Sequence, residues 1–193
     1  MSGPPGWAVI YPVFLKLAGR RVLLVGGGPV AAAKLEGLLA AGAHVTVVAP
    51  QISPGIEREG VTVHRRPFRP DDLDGAWWVV AAAPPEVNRD VQAAAEVKQL
   101  FVNAVDDPAH ATAYLGSVVR RDGVTIAIST DGRAPALAGL LREALAAWLP
   151  QDLDAWMAAA DEARREWKEA GVPMEQRRPR LLETLNRLYE SKK

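Results

Sequence analysis

The chain contains no cysteine among its 193 residues. That removes thiolate nucleophiles, disulfides, iron–sulfur clusters and cysteine-ligated zinc from the chemistry open to it. It also lacks an excess of charge of either sign, with Lys plus Arg at 23 and Asp plus Glu at 23. A balanced chain has no long-range field to draw it to DNA, RNA or an anionic membrane, so neither nucleic acid nor membrane is expected as a partner. No apolar run approaches the roughly 20 residues needed to span a bilayer. Residues 1–7 are rich in Pro and Gly and lack the charged and then apolar stretches of a secretory signal, so a cytoplasmic protein is expected. No G-x-x-x-x-G-K-[ST] sequence occurs, which excludes a Walker loop.

What is present is globular: 49% of residues are hydrophobic and 24% charged, enough for a real core. Short apolar runs at 21–25, 44–49, 61–67, 77–83 and 100–105 read as strands. Helices are expected at 29–41, ending at Gly42, and at 85–99, opening on Pro85. Strands alternating with helices predict an α/β fold with a parallel sheet covered on both faces. Residues 51–60 are too short for a full crossover helix. Beyond residue 112 the pattern changes. Two β-rich runs, 114–120 and 124–130, flank Arg121-Asp122-Gly123, where glycine accepts the positive φ of a hairpin turn. A helix at 135–149 stops at Pro150, and 151–189 is helical in composition with a break at Gly171-Val172-Pro173. Three segments are expected: a Rossmann-type domain at 1–112, a hairpin plus helix at 113–150, and a small helical domain at 151–193.

The run Gly26-Gly27-Gly28-Pro29-Val30-Ala31 reads as G-x-G-x-x-A, directly after a strand and opening a helix. Gly26 permits the tight turn, Gly28 lets the backbone approach a pyrophosphate, and Ala31 keeps helix and strand close. The free N–H groups and the helix dipole then face an anion. Pro29 fits, because a first-turn N–H is dispensable. The second strand ends Val47-Val48-Ala49-Pro50-Gln51, without the acid that usually holds the adenosine ribose and without an adjacent Arg for a 2′-phosphate. The residues alone therefore leave NAD and NADP both open.

Several stretches together resemble the precorrin-2 dehydrogenase family, the first module of siroheme synthase. They are Tyr11-Pro12-Val13-Phe14-Leu15-Lys16-Leu17, the glycine loop through Lys34, Asn88 after the fourth strand, Phe101 to Pro108 with Asn103 and Asp106, and Ile128 to Arg142 with Ser129, Thr130 and Pro135. The resemblance runs from about Tyr11 to Pro150. It implies oxidation of precorrin-2 to sirohydrochlorin with NAD as cofactor; several members also insert ferrous iron. It implies a homodimer, with the hairpin and following helix forming much of the interface. By position, Pro29, Val30, Pro50 and Gln51 would touch the cofactor and Asp106 would be the essential acid. The C-terminal methyltransferase activity of fused siroheme synthases is not expected here.

Asp106 follows the apolar fifth strand, where ligands of open α/β sheets bind. The nicotinamide takes a hydride and leaves a proton for a base, and a carboxylate partly desolvated at a cleft mouth suits that task. As residues alone, Asp106 and Asp107 read as cap or turn residues before Pro108. The resemblance moves Asp106 to function and leaves Asp107 in the turn. His110 lies four residues past Asp106, but an ordinary histidine is expected there, and no resident metal. An octacarboxylate substrate asks for cations. Among Arg65, Arg66, Arg69, Arg120, Arg121 and Arg133, the residue of choice is Arg133, before a helix start, with Ser129, Thr130 and Asn103 as further substrate contacts. Tyr189 and Lys193 share the spacing of short-chain dehydrogenases by chance. Two other readings stand beside the enzyme: a non-catalytic NAD-sensing module, and a dehydrogenase of an unrelated small substrate.

Overall fold

The computed structural model describes residues 10–190. Residues 1–7 and Lys193, and with it the Tyr189–Lys193 spacing, lie outside the described residues. By contact the chain divides into two units, 1–115 with 131–133, and 116–130 with 134–193.

The first unit is built on β1 (Arg21–Val25), α1 (Pro29–Ala40), β2 (His44–Val48), β3 (Val61–His64), β4 (Trp78–Ala81), α2 (Pro85–Val97) and β5 (Val102–Ala104). All five strands are parallel, in the order β3-β2-β1-β4-β5. Strand β1 lies at the centre, so the chain winds outward on one side and then jumps across to β4. That reversal opens a crevice at the carboxyl ends of β1 and β4. Alternation along each strand feeds both faces. Val22, Leu24, Val45, Val47 and Val80 pack with Ala31, Leu35 and Leu38 of α1. Leu23, Val25, Val79 and Ala81 pack with Val91 and Ala95 of α2. Burial on both faces is why these strands are nearly all Val, Leu and Ala rather than alternating with polar residues.

Two connections shape the edge. Residues 51–60 form no helix, in line with their length. Ile52 and Ile56 instead drop onto the α1-side core, Ile56 being fully buried. β3 ends at His64, three residues short of the expected 67. The Arg66 N–H turns back to the His64 carbonyl, and the Arg66 guanidinium grips Asp72 through two bonds of 2.9 and 2.5 Å. Asp72 also accepts the Arg69 N–H at 2.8 Å.

The second unit contains β6 (Ser117–Arg121), β7 (Val124–Ile128), α3 (Pro135–Trp148), α4 (Leu153–Glu169) and α5 (Met174–Glu190). The hairpin turn is Asp122-Gly123 alone, both at positive φ (47° and 83°), which is the twist-matched two-residue form. Arg121 pairs with Val124 inside the ladder. The boundary expected near 150 falls inside one shared core: Val119, Leu149 and Leu153 pack together with Ile126, Leu145 and Trp156. Arg121 Nη1 donates to the Leu149 carbonyl at 2.8 Å, tying hairpin to helix end. The break before α5 is at Gly171, φ 64°, as the Gly-Val-Pro sequence requires. Among the described residues no helix is long and apolar enough to cross a membrane.

The carboxyl of Asp72 is tied to the fold through its titration. The hydrogen bonds from Arg66 hold its carboxyl below the ordinary value, the backbone N–H of Arg69 helps, and burial opposes. A carboxyl lowered by folding contributes stability above its unfolded pKa of about 3.9 and loses it as pH falls through the folded value. Asp72→Asn is therefore expected to lower stability at pH 7, because it removes the charge that Arg66 and the Arg69 N–H hold. The cost should shrink below pH 4, measured by urea unfolding across pH.

Candidate active site

The glycine loop is held by backbone rather than by side chains. Gly26 has φ 128° and its N–H donates to the Val48 carbonyl at 3.0 Å. A Cβ on Gly26 would run into the Ala82 carbonyl, and one on Gly27 into the Gln51 carbonyl. The Gly27 carbonyl in turn accepts the Ser53 N–H at 2.7 Å. These approaches lock the loop between the ends of β2 and β4. Gly28 differs: no heavy atom lies within 4 Å of where its Cβ would stand. It is the N-cap of α1, which has no side-chain cap, Pro29 in its first turn and no acid there. The open space and the uncapped positive helix end fit a pyrophosphate. Gln51, by its carbonyl, adjoins this loop, and Pro50 and Gln51 are both exposed there.

A cleft of about 350 Å³ lies beside it, lined by Val30, Ala82, Ala83, Pro85, Asn88, Val105, Asp106 and Asp107. So the first turn of α1 and the acid after β5, 76 residues apart in the chain, share one opening. The loop carrying the acid is clamped at its base. Val102 N–H donates to Thr112 Oγ1 at 2.8 Å, Thr112 N–H returns to the Val102 carbonyl at 2.9 Å, and Asn103 Nδ2 donates to the Ala113 carbonyl at 3.0 Å. Asp106 itself takes φ 55°, a left-handed conformation that Asp tolerates better than most residues. Such strain is often kept where a site uses it. Its side chain is exposed, so the partial desolvation expected of it is not found in this unit.

Asp107 is the N-cap of a 3-10 turn at Pro108–His110 but makes no side-chain cap bond. Its carboxylate instead holds His110 Nδ1, with both oxygens at 2.9 Å. The histidine thus partners Asp107, not Asp106, because a 3-10 turn brings residues three apart onto one face. Asn103 is buried, and its Oδ1 has no hydrogen-bond partner among the described residues. It stands opposite Val80 in the sheet. By strand alternation it shares the face of Ala82 and Val105, one step beneath the cleft floor.

Other candidates are committed elsewhere. Arg65 pairs with Glu57 at 2.7 Å, Arg66 with Asp72, and Arg121 with the end of α3. Thr130 Oγ1 accepts the Ala134 N–H at 3.3 Å, closing the turn before α3. Ser129 and Thr130 belong to the second unit, whereas residues 131–133, with Arg133, belong to the first. There Gly132 lies against Pro108 and Tyr114, which brings the Arg133 loop beside the acid loop. Sequence reasoning missed Gly27, whose need for glycine comes from a carbonyl 24 residues away. It also gave Asn88 no role, though the side chain is buried in the cleft wall.

Residues 13–117 match a protein family described as "Putative NAD(P)-binding", which is more than half of the chain. The chain belongs to this NAD(P)-binding family. Residues 121–147 match a second family, described as sirohaem biosynthesis protein central. Among similar proteins, siroheme synthase 3 of Aeromonas hydrophila subsp. hydrophila is 42% identical over 172 residues, covering 86% of this chain and 37% of that one. The siroheme synthase of Photorhabdus laumondii subsp. laumondii is 40% identical over 172 residues, with the same coverage of 86% and 37%. The chain thus spans little more than a third of these relatives' length. A solved structure titled "SirC, precorrin-2 dehydrogenase" superposes with a TM-score of 0.68 at 27% identity, covering 90% of this chain and 88% of that one.

The two halves of the loop give a paired test of NAD(P) binding. Gly27→Ala is expected to unfold the β1–α1 junction or lower its melting temperature sharply, since backbone must shift. Gly28→Ala meets no atom of the protein and should melt like the parent. It should nevertheless weaken NAD(P) binding about tenfold or more, because its methyl group occupies the space a pyrophosphate needs. Thermal melts and fluorescence titration read the two effects separately.

Proposed function

We propose that the protein is a cytoplasmic enzyme that oxidises precorrin-2 to sirohydrochlorin with NAD as cofactor. The observation that carries this reading is the shared cleft, in which Val30 of the dinucleotide loop and the exposed Asp106 carboxylate line one opening. The absence of an arginine beside Pro50-Gln51 at the end of β2 supports NAD over its 2′-phosphorylated form. The relatives' names, siroheme synthase and precorrin-2 dehydrogenase, support the substrate.

The chemistry asked of the chain is modest. Bound NAD supplies the hydride acceptor. Gly26, Gly28, Pro29 and Val30 hold the dinucleotide, with Pro50 and Gln51 on its adenosine side. Dehydrogenation removes a hydride and a proton as a new double bond forms in the macrocycle. Asp106 receives the proton, and its exposure lets that proton pass to water. Arg133, Ser129, Thr130 and the unpartnered Oδ1 of Asn103 are the polar groups proposed for the substrate. Ferrous iron enters this reading as a substrate: its insertion also requires pyrrole protons to leave, and the same carboxylate serves.

The proposal includes a homodimer. Helix α3 leaves Leu137, Leu140, Leu141 and Trp148 exposed, Trp148 at 77%. Their spacing makes one apolar stripe along the helix, the kind of face that a second copy covers.

With anaerobic precorrin-2 and NAD, wild type should form NADH, and Asp106→Asn should lose about 10²–10⁴-fold while melting normally, since Asn also accepts positive φ. Full activity in the variant would remove Asp106 from its role. NAD binding without any turnover in wild type would favour a sensing module. Leu140→Arg should sediment at the monomer mass while wild type sediments as a dimer.

A further inference from the structure

We propose that Asn88 donates a hydrogen bond from Nδ2 to an oxygen acceptor on the nicotinamide riboside half of the dinucleotide, and so orients the ring over β4 beside Asp106. The inference rests on the NAD reading above and deepens it.

Asn88 lies in the first turn of α2 and is only 1% exposed, yet it lines the cleft that holds Val30 and Asp106. Its Oδ1 accepts the Ala83 N–H at 3.2 Å, closing the turn between β4 and α2. That bond decides which end of the amide is engaged, because an N–H can pair only with the oxygen. The other end is an NH2 group, and among the described residues no protein acceptor is bonded to it. A polar group in the cleft wall without a protein partner is free to bond to what occupies the adjoining space.

The identity of that partner follows from the order of the strands. The glycine loop and the start of α1 take the pyrophosphate at the end of β1. The end of β2, at Pro50 and Gln51, adjoins the loop on one side. β4 flanks β1 on the other side. A dinucleotide laid across β1 with its adenosine toward β2 must run its other half over the end of β4, where Ala83 and Asn88 stand. A nicotinamide riboside carries oxygen acceptors in its carboxamide and ribose, and one amide donor fixed by Ala83 can hold it in one orientation.

The substitution Asn88→Asp separates this role from a structural one. It keeps an oxygen to accept the Ala83 N–H and replaces the donor by an acceptor. Calorimetric titration with NADH, and with ADP as a probe lacking the nicotinamide half, reads both. Asn88→Asp should melt close to wild type, bind ADP as wild type does, and bind NADH about tenfold or more weakly, as expected when an acceptor is set against an acceptor. If Asn88→Asp does not fold, Asn88→Ala, studied below its own melting temperature, carries the same comparison. Unchanged NADH affinity, or an equal loss for NADH and ADP, would overturn the proposal. Wild type that binds ADP but not NADH would instead overturn the NAD reading on which it rests.

Discussion

Two backbone carbonyls determine the rest of the site. Those of Gln51 and Ala82 press against Gly27 and Gly26 so closely that neither glycine could carry a side chain. The end of β1 is thereby pinned between the ends of β2 and β4, its two neighbours in the sheet. Pinning the loop in this way determines where α1 begins. The uncapped first turn of α1 and the open space at Gly28 then face the crevice that the strand order creates. Backbone N–H groups of the loop and the helix dipole then supply positive potential to a dinucleotide's phosphates.

The acid loop is held by a different device. Thr112, Ala113 and Asn103 close its base by three hydrogen bonds onto β5, and Asp107 is tied to His110. Asp106 is left as the residue that turns through positive φ at the cleft. The first half of the site is thus rigid because sheet backbone packs against glycine. The second half is rigid because a short loop is clipped to the edge strand. The dehydrogenation proposed above needs both halves, since the hydride acceptor and the group that takes the proton must face one substrate molecule.

Much of this was legible before any coordinates. The five strands, both covering helices and the hairpin follow from apolar runs punctuated by Gly and Pro. The glycine loop was recognisable because it directly follows a strand, and the carboxyl ends of strands are where such sheets bind ligands; Asp106, which on its residues alone reads as a turn, was singled out by the family resemblance. The edges were not legible. The shortening of β3 depends on Arg66 reaching Asp72, an ion pair six residues apart that hydrophobic periodicity does not register. The boundary drawn at Pro150 failed to mark a separation because Leu149 and Leu153 enter one cluster with Val119 of the hairpin. That His110 would be held by Asp107 was not legible either, because it depends on the 3-10 turn that brings residues three apart onto one face.

Sequence by itself therefore determined the class of fold and the place of the anion-binding loop, because each is written in local pattern: apolar strands, and a glycine run between a strand and a helix. Only the tertiary structure decided that Gly27 rather than Gly28 is needed for packing, that Val30 and Asp106 share a cleft, and that Asn88 spends its oxygen on Ala83 while Asn103, among the described residues, keeps an oxygen without a partner. Those facts depend on carbonyls and side chains brought together from strands far apart in the chain, and no periodicity along a single segment carries such information.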